Sequence, residues 1–160
     1  MKNQEPKALW NYFYDLTQIP RPSGKKEEIS AFLANFGKSL GLETIVDAIG
    51  NVIIRKPAFK GYEDHPGVVL QGHMDMVCEK NKGTNHDFTK DPLQLRIDGD
   101  YIYATDTTLG ADNGIAVAMG LAVLASNDIE HPALEVLVTV DEEAGMSGAM
   151  ALDGNLVKGK

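Results

Sequence analysis

The 160-residue chain has little of what several protein classes require. It holds one cysteine, Cys78, so no disulfide forms within it. Together with an N-terminus, MKNQEPKALW, that lacks the apolar stretch of a secretory leader, this points to the cytoplasm. Its uninterrupted apolar runs are short, Ile115–Met119 and Val136–Val138 among them, far below the roughly 20 residues that span a bilayer. Positive charge is also scarce, with 15 Lys+Arg against 23 Asp+Glu and a net charge of −8. Such a surface repels phosphate backbones and anionic lipid, which excludes general nucleic-acid binding and membrane docking. There is no internal repeat and no low-complexity tract.

What is present is ordinary for a globular protein: 43% hydrophobic and 24% charged residues. Leu9, Trp10, Phe13 and Leu16 recur at helical spacing, so residues 7–18 read as an amphipathic helix. Ser23 reads as the N-cap of a second helix reaching Leu40, with Ile29, Phe32, Leu33 and Phe36 on its apolar face and Gly41 just past its end. Short strands are expected at Thr44–Val46, Asn51–Arg55 and Val68–Leu70, the last buried on both faces. Residues 79–100 are polar and turn-rich and read as a long loop before a strand at Tyr101–Tyr103. A helix over Asp112–Ser126, with Ile115, Met119 and Ala122 on one face, precedes a buried strand at Leu134–Val140 and a short helix at Ser147–Leu152. The tail Asn155–Lys160 does not read as a domain end; a strand is due next. Helices alternating with apolar strands predict a layered α/β fold.

Three clusters carry chemistry, each near the end of an apolar run, and that edge of an open α/β sheet is where ligands bind. In Gly72-His73-Met74-Asp75, residues two apart face the same way, so Asp75 can orient His73 and raise its basicity toward a metal. A hydrogen-bonded pair in a turn is the plain alternative. Asp112 lies between Gly110 and Gly114; on its own it reads first as a helix N-cap. Asp141-Glu142-Glu143 follows the Leu134–Val140 strand. It reads as a solvated acidic turn or, given the apolar strand before it, as a group with at least one member near the core. One histidine and several carboxylates form the donor set of a hard or borderline dication site, and suit two-metal hydrolysis. His65, His86 and His131 sit in polar or Pro-containing loops and read as solvated, Cys78 as a small buried residue, and Trp10 and Phe13 as helix core.

Ile19–Ser23, GHMDMVCEKN (72–81), DFTKDPL (87–93), TTLGADNGIAVA (107–118) and VTVDEEAGMSGA (138–149) together resemble the N-terminal part of the aminoacyl-histidine dipeptidase family, a branch of the co-catalytic zinc peptidases. The resemblance implies a layered α/β/α catalytic domain with a mixed sheet, here incomplete at its C-terminus and without a lid domain. It implies His73, Asp112 and Glu143 as metal ligands, with Asp112 bridging two zincs for which Mn²⁺ or Co²⁺ can substitute. It implies Asp75 and Glu142 as the catalytic carboxylates, the first orienting His73 and the second serving as general base. The implied substrates are unblocked dipeptides, Xaa-His included, and the implied parent is a homodimer. Two further ligands of the family, an acidic residue on the next strand and a distal histidine, have no match among the 17 residues after Glu143. The chain alone is therefore expected to be inactive. A non-catalytic module on the same scaffold and a phosphoesterase are the competing readings.

Overall fold

The computed structural model describes residues 4–159. Helices α1 (Lys7–Thr17) and α2 (Glu27–Ser39) lead into strands β1 (Glu43–Val46), β2 (Val52–Lys56) and β3 (Val68–His73). A hairpin of β4 (Leu95–Asp98) and β5 (Tyr101–Ala104) follows, then α3 (Ala111–Ala125), β6 (Leu134–Thr139), α4 (Ser147–Ala151) and a 3₁₀ turn at Gly154–Leu156. The main sheet has the order β1-β2-β6-β3. β6 is antiparallel to β2 and parallel to β3, so the sheet is mixed, as the α/β reading requires.

Alternation along the strands sorts the core. Val52, Ile54, Val136 and Val138 join Phe13 and Leu16 of α1, Ile29 and Leu33 of α2, and Val117, Leu121 and Leu124 of α3 in one buried cluster. The three long helices thus cover one face. Each such side chain contributes about 1.5–3 kcal/mol on burial. Ile53, Arg55, Glu135 and Leu137 point to the other face, which the segment after β6 crosses. There Arg55 Nε donates to Glu135 Oε2 at 3.0 Å and Arg55 Nη2 to the Leu156 carbonyl, while Lys158 N donates to Glu135 Oε1 at 2.6 Å.

Burial opposes the charge on Glu135, but hydrogen bonds from Arg55, Gly159 N and Lys158 N outweigh it and hold its carboxyl below the ordinary value. A carboxyl depressed on folding stabilises the fold above its unfolded pKa, and that gain is lost as pH falls through the folded pKa. Glu135→Gln is expected to lower stability by about 3 kcal/mol near neutral pH. The difference from wild type should shrink on acidification below the ordinary glutamate range of about 4.3, as urea unfolding at several pH values would read.

Several expectations need correction. α2 starts at Glu27 and Lys26, not Ser23, occupies the N-cap. β3 is not buried on both faces: it is an edge strand, and Val68 and Leu70 are more than a third exposed. The 79–100 segment is not all loop, because it contains β4, paired with β5 from Leu95↔Ala104 to Asp98↔Tyr101. On α3 the buried side is Val117, Ala118, Leu121 and Leu124, whereas Met119 is 51% exposed. α3 is apolar nearly all round, with α1 on one side and the sheet on another, so periodicity alone does not select its inner face. Among the described residues no helix is long and apolar enough to cross a membrane; Lys160 lies outside them.

Candidate metal centre

β3 and β6 run parallel, with His73 opposite Thr139, so His73 and the chain after β6 emerge at the same sheet edge. The start of α3 delivers Asp112 to that edge. It does not cap the helix: Gly110 holds the N-cap position, and the backbone leaves helical geometry at Asp112 (φ −83°, ψ 110°). Its carboxylate turns toward His73, with Oδ1 lying 3.0 Å from Nε2. Glu142 Oε2 lies 3.9 Å from the same nitrogen. Ligand atoms of His73, Asp112 and Glu143 all fall within 4.8 Å of one another. The site residues named from sequence therefore converge.

Asp75 fixes the ring. His73 Nδ1 is 3.1 Å from the Asp75 carbonyl oxygen and 3.3 Å from its Oδ1. Both are acceptors, so Nδ1 carries a proton and Nε2 is the atom turned to the carboxylates. Burial opposes protonation of His73, yet the hydrogen bonds to Asp75 and Asp112 and the field of Glu142 raise its pKa overall. Asp75 is buried, which alone would raise its pKa. Its bonds to His73, Ser23 Oγ and the Glu142 and Glu143 amides instead bring it to about 2. Those two amides lie 3.0 Å from Oδ1 and 3.2 Å from Oδ2. One ionised carboxylate thus orients the histidine and anchors the acidic loop at once.

None of the three consecutive carboxylates enters the core; Asp141 and Glu142 are half-buried and Glu143 is exposed. The buried carboxylate of the site is Asp75. Asp141 takes a left-handed conformation (φ 52°), and its Oδ1 accepts from Gly24 N at 2.6 Å. Two residues to which the sequence assigns no role also shape the site. Arg21 is one. The other is Asn51, fully buried, whose Oδ1 accepts from Val140 N at 3.0 Å and whose Nδ2 donates to Gly148 O at 2.9 Å, holding the loop from both ends. Gly148 has no room for a side chain: a Cβ there would run into the Val140 carbonyl and sit 2.6 Å from Asn51 Oδ1. Gly148→Ala is expected to cost about 1–3 kcal/mol in urea unfolding. Unchanged stability would show that the loop yields.

Of the remaining histidines, His65 is exposed as expected, His86 is half-buried, and His131 is buried, contrary to its solvated reading. Its ring stands edge-on to Phe59, and its Nδ1 lies 2.7 Å from the Pro132 carbonyl. Phe59 N donates to the His131 carbonyl at 2.9 Å, a long-range bond that local composition does not reveal. Cys78 is half-buried rather than buried, and its burial pushes the thiol pKa up.

A mixed α/β sheet with a His/Asp/Glu cluster at its strand ends is the build of a metallopeptidase, and the chain belongs to peptidase family M20/M25/M40, whose family model matches residues 69–160. It is 50% identical over 150 residues to the cytosol non-specific dipeptidase of Escherichia coli (strain K12), covering 94% of this chain and 31% of that protein. It superposes on the crystal structure of aminoacylhistidine dipeptidase from Vibrio alginolyticus with a TM-score of 0.96 and 48% identity, over 99% of this chain and 32% of that one. A tripeptidase structure from Staphylococcus aureus matches at TM-score 0.79 and 26% identity, over 96% and 41%. The chain spans about a third of the length of the two dipeptidases.

Proposed function

We propose that this chain supplies part of the active site of a cytosolic metal-dependent dipeptidase acting on unblocked dipeptides, Xaa-His included. The observation that carries the reading is the convergence of His73, Asp112 and Glu143 at one sheet edge, with Asp75 behind the histidine. Imidazole nitrogen and carboxylate oxygens suit Zn²⁺, and Mn²⁺ or Co²⁺ share such donors. His73 Nε2, Asp112 and Glu143 would hold the metal. Asp112, with its side chain 80% exposed, keeps an oxygen for a second ion. When bound, the metal supplies an acidified water and polarises the scissile carbonyl. Glu142, whose side chain is 39% exposed and not tied to a backbone donor, would take the proton from the attacking water and deliver it to the leaving amine. Asp75 keeps the ring of His73 in one tautomer throughout. The names of the two dipeptidase relatives and the single cysteine support the substrate class and the cytosolic setting.

The test uses the native protein that carries this chain. Chelator treatment should abolish hydrolysis of a dipeptide panel, and Zn²⁺, Mn²⁺ or Co²⁺ should restore it. Hydrolysis of p-nitrophenyl phosphate without dipeptide hydrolysis would replace the reading with a phosphoesterase; metal uptake with no hydrolysis of either would favour a binding module.

A further inference from the structure

The Ile19–Ser23 motif stands out in the sequence, yet none of its residues belongs to the metal cluster. In the fold it joins α1 to α2, and residues 21–24 reach all three clusters, across 52, 89 and 117 residues of sequence. Arg21 is 2% exposed. Its Nη1 donates to the Met74 and Asp75 carbonyls at 3.0 and 3.2 Å, and its Nη2 to the Gly110 carbonyl at 2.5 Å. Met76 N donates to the Arg21 carbonyl at 3.2 Å, and Pro22 forms a parallel bridge with Met76. Ser23 Oγ donates to Asp75 Oδ2 at 2.6 Å, and Gly24 N to Asp141 Oδ1 at 2.6 Å.

A guanidinium is costly to bury, and an apolar side chain would fill the same space at less cost. Arg21 is not hydrogen-bonded to a carboxylate. Its partners are carbonyls in the two turns that carry Asp75 and Asp112. A planar fork with fixed donor directions sets distance and angle together, which a flexible ammonium does not. The glycines on either side of Asp112 make room for it: a Cβ at Gly110 would sit 2.5 Å from Arg21 Nη2, and one at Gly114 2.8 Å. That glycine pair serves an internal side chain.

We propose that residues 21–24 form a brace that sets the spacing of His73, Asp112 and Glu143, with Arg21 and Ser23 as positioning residues acting through the Gly110 turn and through Asp75. The proposal rests on the metal-site reading above. The brace is held by hydrogen bonds already in place without a metal, so its loss shows in metal affinity and in ligand geometry.

The experiment compares Ser23→Ala, Ser23→Thr and Arg21→Lys in the native protein carrying this chain. It measures Zn²⁺ affinity against a competing chelator, the visible spectrum with Co²⁺, and the Tm of the metal-free form. Ser23→Ala should weaken Zn²⁺ binding about 10–100-fold, the usual effect of losing a group that orients a ligand, and should change the Co²⁺ spectrum. Ser23→Thr, which keeps the hydroxyl, should restore both. Arg21→Lys keeps the charge without the fork and should weaken binding likewise. If it fails to fold, Ser23→Ala decides, because it removes one hydroxyl and little bulk. A folded Ser23→Ala with wild-type affinity and spectrum overturns the brace while the metal site stands. A wild-type protein that binds none of the three metals overturns both.

Discussion

Glu142→Gln is expected to keep metal content at the wild-type level and to lower dipeptide turnover by about 10³-fold, close to 4 kcal/mol of transition-state stabilisation. Glu142 sits beside the proposed ligands, with Oε2 3.9 Å from His73 Nε2, but the cluster of mutually close ligand atoms is made by His73, Asp112 and Glu143. The amide is nearly isosteric and cannot accept a proton at neutral pH. Its backbone N–H still donates to Asp75, so the loop keeps its anchor. Turnover near wild type would remove Glu142 from the role of base. Loss of metal together with activity would make it a ligand instead. Metal analysis and kcat from the same preparation separate the cases.

Asp112→Ala is expected to do the reverse: to empty the site and leave the fold standing. The Asp112 side chain is 80% exposed, caps nothing, and has His73 Nε2 as its main partner. Surface changes of that kind usually move stability by no more than about 0.5 kcal/mol. It also stands in a cluster with other carboxylates, so removing one charge relieves repulsion in the metal-free state. Metal affinity should fall by more than the roughly 10–100-fold that follows loss of an orienting group. Zinc titration and thermal unfolding test this jointly. Two tightly held ions per chain in the variant would sink the bridging assignment. A large fall in Tm without metal would show that Asp112 is structural.

Sequence patterning was informative where one physical term dominated. α1 and α2 follow from apolar residues at helical spacing, and β6 from a mostly apolar run that only Glu135 interrupts before Thr139. The candidate site residues stood out in sequence as a histidine and carboxylates next to apolar runs, and the fold brings His73, Asp112 and Glu143 together. Misreadings arose where a distant partner outcompeted a local preference. Ser23 has the chemistry of a cap, but its hydroxyl is taken by Asp75, 52 residues away. Asp112 likewise turns from its own helix toward His73. Leu95–Asp98 looks like loop because β4 belongs to an exposed two-stranded hairpin and shows too little apolar alternation to register. Arg21, although it lies in the Ile19–Ser23 motif, and Asn51 show no local sign of their roles: Arg21 donates to carbonyls 53 or more residues away, and Asn51, besides its bond to nearby Asp47, reaches Val140 N and Gly148 O across 89 and 97 residues, partners which only the folded chain supplies.

The parallel pairing of β3 with β6 has a consequence for how the chain is made. Gly72 and Thr139 meet across 67 residues, with the β4–β5 hairpin and α3 between them. Such a pairing closes a long loop before it gains any contact energy, so it forms slowly compared with a helix or a hairpin. During synthesis Val68-Val69-Leu70 leaves the ribosome well before β6 exists to cover it. At a few to about 20 residues per second, that interval lasts seconds. The nascent chain thus shows an open, apolar edge for that time, a hazard for strand-to-strand aggregation. His73 has Asp75 beside it from the start but stays unable to gather Asp112, Glu142 and Glu143 until the final third of these residues has been translated.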